Sequence, residues 1–244
     1  MQITVINGTE KQGITYRLKE MFLADFREEA EIKEFYLPRD CPGFCIGCTR
    51  CILQGESSCK DAAHIEKIAD ALLKADLIIM ASPAYVMHTT GAMKALLDHF
   101  AYLWLPHRPA KEMFGKRCVI ISQCLGAGAK STAKDIKDSI SWWGVSEISV
   151  FTGKLMGNIL WDKLSRKKQQ ELTRRIKKLA AKFKKIDYSQ PAATGLAIKV
   201  KFLFCRKLLI SLHKDDPKYL DGKYWEENGW LGKARPWKSQ ERLS

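Results

Sequence analysis

The sequence predicts an α/β fold: a five-stranded parallel sheet with helices on both faces, followed by a basic helical C-terminal extension. Three observations predict it. Short β-branched or wholly apolar runs alternate with longer stretches whose apolar residues recur every three or four positions, the pattern of strands buried under crossover helices. The apolar runs stop at small or turn-forming residues, among them Gly8, the pair Ser82-Pro83 and the stretch from Gln123 to Gly128. Charge also divides the chain: residues 1–160 carry 19 Lys and Arg against 18 Asp and Glu, whereas residues 161–244 carry 22 against 9.

Taken in order, residues 3–7 (ITVIN) read as a buried first strand. A helix follows, with Leu18, Met21, Phe22 and Phe26 at helical spacing. Residues 31–36 alternate as a second strand. Residues 62–74 place Ile65, Ile68, Leu72 and Leu73 on one side of a helix, and residues 76–81 form an apolar third strand that Pro83 brings to an end. The pattern repeats with a helix over 91–104, a strand over 117–122, a helix over 130–143, a strand over 145–151 and a long basic helix over 162–186. Five strands joined in this way suit the doubly wound, flavodoxin-like order 2-1-3-4-5.

The chain of 244 residues is 46% hydrophobic and 28% charged, enough to bury one full core plus an appendage. Residues 1–187 are read as the domain. Residues 188–244 are read as an extension that packs on the domain or on a partner subunit. The opening MQITVING has neither a basic leader nor a long apolar one, and no apolar run reaches the roughly 18 residues of a membrane span. The expectation is a cytoplasmic protein with reduced thiols, in which clustered cysteines favour metal or redox chemistry. The net charge of +14 comes from the last third. Basic charge without a recognisable module is weak ground for nucleic-acid binding, which is not expected. The run 195–213 is too charged to cross a membrane, although it could lie on an anionic one.

Ligands of open α/β sheets bind at the carboxyl ends of the strands. The loop GTEKQGIT, residues 8–15, offers small polar side chains and the free amides of a helix start, which suit a phosphate. The stretch SPAYVMHTTGAMKALLDHF, residues 82–100, brings Pro83 and the aromatic Tyr85 to where a planar ligand could lie. In SQCLGAGAKST, residues 122–132, Gly126 and Gly128 allow close backbone approach. No G-x-G-x-x-G follows the first strand, so a Rossmann dinucleotide site is not expected.

These loops, with IIMASPAY, TTGAMKALLDHF and a cysteine run after the second strand, resemble the NAD(P)H-dependent FMN reductase and iron–sulfur flavoprotein family of the flavodoxin-like superfamily. The resemblance covers roughly residues 1–180. It implies FMN held by Thr9, Lys11, Gln12, Gly13, Ile14 and Thr15 at its phosphate, by Ser82, Pro83, Ala84, Tyr85 and Val86 at its ring, and by Gln123, Cys124, Leu125, Gly126 and Gly128 at the pyrimidine side. The first loop departs from the family pattern: Thr9-Glu10-Lys11 stands where Ser-Pro-Arg is usual, and Ile14-Thr15 where Asn-Thr is usual.

The cysteine run CPGFCIGCTRCILQGESSCK places Cys45, Cys48, Cys51 and Cys59 in the spacing C-x2-C-x2-C-x7-C. Thiolates two residues apart can converge on one metal centre, and the compact spacing favours an iron–sulfur cluster over zinc. An empty reduced loop, zinc and a disulfide remain alternatives, and the resemblance implies a [4Fe–4S] cluster. Cys41 is read as a spare thiol, and Cys118 and Cys205 as inert core thiols. His88 is read as solvated, Trp142-Trp143 as packing residues, and His64, His99 and His107 as lacking mutual ligand spacing.

The expected function is an FMN-dependent oxidoreductase with NAD(P)H as cosubstrate or a reduced carrier as donor. The acceptor is a quinone, flavin, nitro compound or redox protein, and a homodimer or homotetramer is expected. No side chain is assigned as a catalytic acid or base, because the flavin carries the chemistry. A non-enzymatic electron carrier and a regulatory module acting through the basic tail are the competing classes.

Overall fold

The computed structural model describes residues 1–157 and 160–238. Its sheet has five parallel strands in the order β2-β1-β3-β4-β5: β1 (Gln2–Asn7), β2 (Glu31–Tyr36), β3 (Leu77–Pro83), β4 (Arg117–Cys124) and β5 (Glu147–Lys154). The chain passes from β1 outward to β2 and then back across β1 to β3. The switch point, and hence the crevice, therefore lies at the carboxyl ends of β1 and β3.

Helices cover both faces. α3 (Ala62–Lys74), α4 (Gly91–His99) and α5 (Ala129–Trp142) pack Ile68, Leu72, Met93, Leu96 and Ile136 against Ile6, Ile78, Met80 and Ile120. α1 (Ile14–Leu23) and α6 (Arg166–Lys184) pack Leu18, Phe22, Leu172, Ile176 and Phe183 against Val5, Ile79, Val119 and Ile121. Alternate residues of β3 thus enter opposite cores, which is why the run is apolar without a break. The buried Lys19 ammonium on α1 is neutralised by Glu20 Oε1 at 2.6 Å and Glu34 Oε2 at 2.5 Å.

Several boundaries differ from the sequence reading. Pro83 does not end the strand before itself. It is the last residue of β3, in register with Gln123, and the next amide, Ala84 N, donates to Gln123 O at 2.8 Å. A proline is tolerated where its missing N–H falls at a strand end. The expected helix 91–104 stops at His99 and tightens into a 3₁₀ turn, Phe100–Leu103, two residues before Leu105-Pro106, where helical backbone is disfavoured. α6 begins later than expected because Ser165 caps it, accepting from Lys168 N at 3.3 Å.

The extension forms α7 (Leu196–Asp215) and α8 (Leu220–Glu227), the second of which the turn-rich sequence does not announce. Ile198, Phe202, Cys205, Leu209, Trp225 and Trp230 make a third core with Leu105 and Phe114 from earlier in the chain. Phe202 stacks on Trp225 at 4.6 Å between ring centroids. The opposite face of α7 stays open, with Leu196 78%, Val200 57% and Phe204 69% exposed.

Candidate flavin cleft and cysteine loop

The crevice is shaped where β1 hands the chain to α1. A Cβ on Gly8 would lie 2.8 Å from Ser82 Oγ and 3.0 Å from Thr90 Oγ1, so only glycine lets these loops close on each other. Thr90 Oγ1 donates to Gly8 O at 2.6 Å, and Ser82, wholly buried, bonds Thr89 Oγ1 at 3.0 Å. Among the described residues no side chain caps α1, so its first amides remain available to an anion.

After β3, Tyr85 and His88 close a small hairpin through Tyr85 N to His88 O, 2.9 Å, and the reverse bond, 3.1 Å. Its tip holds Val86 at φ +48° and Met87 at φ +72°, left-handed positions that non-glycine residues occupy at a cost. The surroundings hold it there. Asp135 accepts from Thr89 N at 3.1 Å and lies 3.0 Å from His88 Nδ1, and Gly128, at φ +102°, would place a Cβ 2.8 Å from Met87 Cα. The third loop is pinned by Leu155 N to Cys124 O, 2.9 Å, and Gly157 N to Leu125 O, 3.0 Å.

Together these loops enclose a cleft of about 170 Å³ lined by Thr9, Lys11, Gly13, Ile14, Thr15, Pro83, Ala84, Tyr85, Gln123, Leu125 and Leu155. Thr15 Oγ1 and Gln123 Oε1 are buried without a hydrogen-bond partner. Orphaned polar atoms on residues that line a cleft are what a polar ligand would satisfy. Not every candidate reaches the lining. Gln12 is exposed, Val86 is 95% exposed, and Ser82 and Cys124 are buried beneath their loops. Cys124, Gly126 and Gly128 line a neighbouring hollow of about 410 Å³ with Lys130, Lys154, Lys168 and Arg175. Leu155 escaped the sequence reading because it follows β5, whose exit carries no unusual residue.

The cysteine loop is wrapped by left-handed residues, Gly47 at φ +67°, Thr49 at +57° and Gly55 at +99°, around the one-turn helix α2 (Arg50–Leu53). All eight cysteines are free; Cys45 and Cys48 are exposed, Cys51 and Cys59 half-buried. Burial pushes the Cys51 thiol up, and neighbouring Cys59, Cys45 and Cys48 push it further while Arg108 opposes them. Burial also raises Cys41 and Cys205, each to about 11, and raises Cys118 as well, as expected of core thiols.

Residue spacing places no ligand partner beside His99, but the fold does. Its Nδ1 lies 3.9 Å from Cys59 Sγ, and its Nε2 lies 3.1 Å from Gly43 O and 3.6 Å from Asp61 Oδ2. A carbonyl can only accept, so Nε2 carries a proton toward Gly43 O, and Nδ1 faces Cys59. Cys59, Asp61 and His99 bring their ligand atoms within 4.8 Å of one another. Forty residues separate Cys59 from His99, so no local spacing could have joined them. Trp143 is buried and Trp142 stacks on Trp104 at 5.8 Å, both packing roles as read.

Residues 1–153 match the family model of the NADPH-dependent FMN reductases. The chain belongs to that family. Among relatives of this FMN reductase-family chain, an iron–sulfur flavoprotein of Archaeoglobus fulgidus is 23% identical over 234 residues, covering 94% of this chain and 99% of that one. An iron–sulfur flavoprotein of Clostridioides difficile is 28% identical over 144 residues, 57% of this chain and 61% of its own length. Two solved structures share the fold. An azoreductase of Bacillus anthracis superposes with a TM-score of 0.56 at 14% identity, covering 75% of this chain and 98% of that one. An NADH:FMN oxidoreductase in its apo form gives 0.54 at 17% identity, covering 78% and 94%. The FMN reductase-family chain thus presents a strand-end cleft with two unsatisfied polar atoms, and a thiol-rich loop with half-buried donors. The first fits a flavin mononucleotide.

Proposed function

We propose that this protein is an FMN-dependent oxidoreductase that takes electrons from NAD(P)H or a reduced carrier and delivers them to a quinone, flavin, nitro compound or redox protein. The thiols of Cys45, Cys48, Cys51 and Cys59 hold a [4Fe–4S] cluster in this reading. The observation that carries it is the cleft at the β1/β3 switch point, with Thr15 Oγ1 and Gln123 Oε1 buried and unpaired in a chain of this family. Bound FMN would supply one- and two-electron redox chemistry, and a cluster one-electron steps.

The protein's part is to bind, orient and exclude. The α1 amides with Thr9, Lys11 and Thr15 hold the phosphate end, Pro83, Ala84 and Tyr85 support the ring, and Gln123 meets its polar edge. The rim beside the cleft is apolar and open, with Tyr85 50%, Met87 51%, Leu125 44% and Met156 70% exposed, which supports an aromatic acceptor or a protein face. The bare face of α7 supports assembly with a second copy, which light scattering on a size-exclusion column would measure. Eight free cysteines support a reducing, cytoplasmic setting, and among the described residues no helix is long and apolar enough to cross a membrane.

Anaerobic purification followed by absorbance, iron and sulfide assays, and NADPH or NADH oxidation with a quinone tests the reading. Flavin bands with turnover are expected. Flavin without turnover would favour the electron carrier, and a colourless protein would overturn the proposal.

A further inference from the structure

The cysteine loop and the C-terminal extension meet at one buried guanidinium. Arg108, 7% exposed, lies between α4 and β4. Its Nη1 donates to Ile52 O at 3.2 Å and to Asp221 Oδ1; its Nη2 donates to Cys51 O and to Glu56 Oε2 at 3.2 Å. Asp221, on α8, is fully buried, and its second oxygen accepts from Tyr219 Oη at 2.7 Å and lies 2.7 Å from His107 Nδ1. The same helix grips the neighbouring backbone: Tyr224 Oη donates to Pro109 O at 2.9 Å and Trp225 Nε1 to His107 O at 2.7 Å.

The loop's other ties are the packing of Cys51 and Cys59 against the main core and the contact of His99 Nε2 with Gly43 O at 3.1 Å. α2 is four residues long and buries none of them, and a single isolated turn of helix does not sustain itself in water. Arg108 binds the carbonyls of Cys51 and Ile52, so it fixes the backbone that aims the Cys51 thiol. Arg108 in turn needs a buried counter-charge. Apart from Asp221, its only carboxylate partner among the described residues is Glu56, which is 49% exposed and belongs to the same loop. A buried guanidinium deprived of its buried carboxylate is strongly disfavoured and tends to leave its site.

We propose that the C-terminal extension is the positioning element of the cysteine loop: Asp221 anchors Arg108, and Arg108 holds the loop backbone at the carbonyls of Cys51 and Ile52. Iron retention by this device rests on the cluster reading above, whereas the ordering of the loop does not. The extension thereby has a task in the redox site despite contributing no ligand to it. Arg108 and Asp221 act through the loop backbone and are positioning residues.

The experiment compares full-length wild type, Asp221→Asn, Arg108→Lys and Tyr224→Phe, each reconstituted anaerobically with iron and sulfide. Iron and sulfide per flavin are assayed, with the cluster's electron paramagnetic resonance after reduction and amide hydrogen exchange across residues 45–59. Asp221→Asn and Arg108→Lys are expected to lose at least two-thirds of the iron and to exchange the loop amides at least tenfold faster. Lysine keeps the charge but cannot span two carbonyls and two carboxylates at once. Flavin content and exchange in β1 and β3 stay at wild-type values. Tyr224→Phe, which loosens α8 without touching Arg108, keeps its iron. Wild-type iron and loop exchange in both Asp221→Asn and Arg108→Lys would overturn the proposal. A wild type that binds flavin but no iron would sink the cluster reading alone, and the exchange rates would still decide this one. If Asp221→Asn does not fold, Arg108→Lys and Arg108→Gln, which leave α8 intact, give the same readouts.

Discussion

The flavin cleft and the cysteine loop lie in one molecule yet are held by opposite means. Each loop of the cleft leaves a strand whose end is buried, and its amides are tied to neighbouring strand ends, as Gly8 N is to Ala81 O at 2.8 Å and Ala84 N to Gln123 O at 2.8 Å. The cysteine loop leaves the edge strand β2, fully buries no residue of its short helix, rests Cys51 and Cys59 on the core, and is held from outside by Arg108 and α8. A site carried on strand ends inherits the rigidity of the sheet. A site on an excursion needs a separate support, and here that support comes from the far end of the chain.

That contrast can be broken or sharpened by mutation. The largest effect is expected from Cys51→Ser, which removes the central thiol: iron should fall to near zero with flavin content unchanged. Simultaneous loss of flavin would mean that the two sites are not independent. Next comes Thr15→Val, which removes the orphaned hydroxyl from the cleft. One charge-assisted hydrogen bond is worth roughly 1.5–3 kcal/mol, so the FMN dissociation constant, read by fluorescence titration, should rise about tenfold to a hundredfold. Iron per chain should not move.

Gly128→Ala introduces a side chain at φ +102° and 2.8 Å from Met87 Cα, on the side of the strained hairpin. About 1–3 kcal/mol of stability should be lost, measured by urea unfolding, with weaker flavin binding. An unchanged midpoint would mean that the hairpin is freer than its contacts imply.

Glu34 tests the edge strand from which the cysteine loop departs. Burial alone would raise its carboxyl, but the hydrogen bond and charge of Lys19, with donors Asn7 and Tyr36, outweigh it and hold the group below its ordinary value of 4.5. A carboxyl depressed on folding gives stability that is complete above the unfolded value and is lost as pH falls through the lower folded one. Stability should therefore decline below about pH 4.5, and Glu34→Gln should flatten that decline while costing about 1–2 kcal/mol at neutral pH. An equally steep acid limb in Glu34→Gln would assign the loss to other carboxyls. The smallest effect is kinetic. With iodoacetamide at pH 8, exposed Cys45 and Cys48 should be alkylated before Cys51 by peptide mass spectrometry, with Cys41, Cys118 and Cys205 last because burial shields them and raises their thiols.

Much of the fold was legible because its signals are local. Apolar runs such as LIIMASP and helical stripes such as Ile65, Ile68 and Leu72 state their own burial, and their alternation admits few topologies. The cleft was legible as three loops, since strand-end loops of this fold meet at the switch point; which side chains turn inward was not. Gln12 and Val86 have the same local pattern as their neighbours, yet only packing points them away from the lining, and Leu155 enters it from a strand exit that nothing marks.

What the sequence determined by itself was the order of strands and helices, the place of the cleft and the clustering of four thiols, because each depends on residues close together in the chain. Only the tertiary structure decided that His99 and Asp61 stand at Cys59, and that Asp221 reaches across 113 residues to hold Arg108 against the cysteine loop. The reason is physical. Buried charges and orphaned polar atoms are settled by whatever partner the folded chain brings within hydrogen-bond reach, and sequence spacing carries no record of that distance.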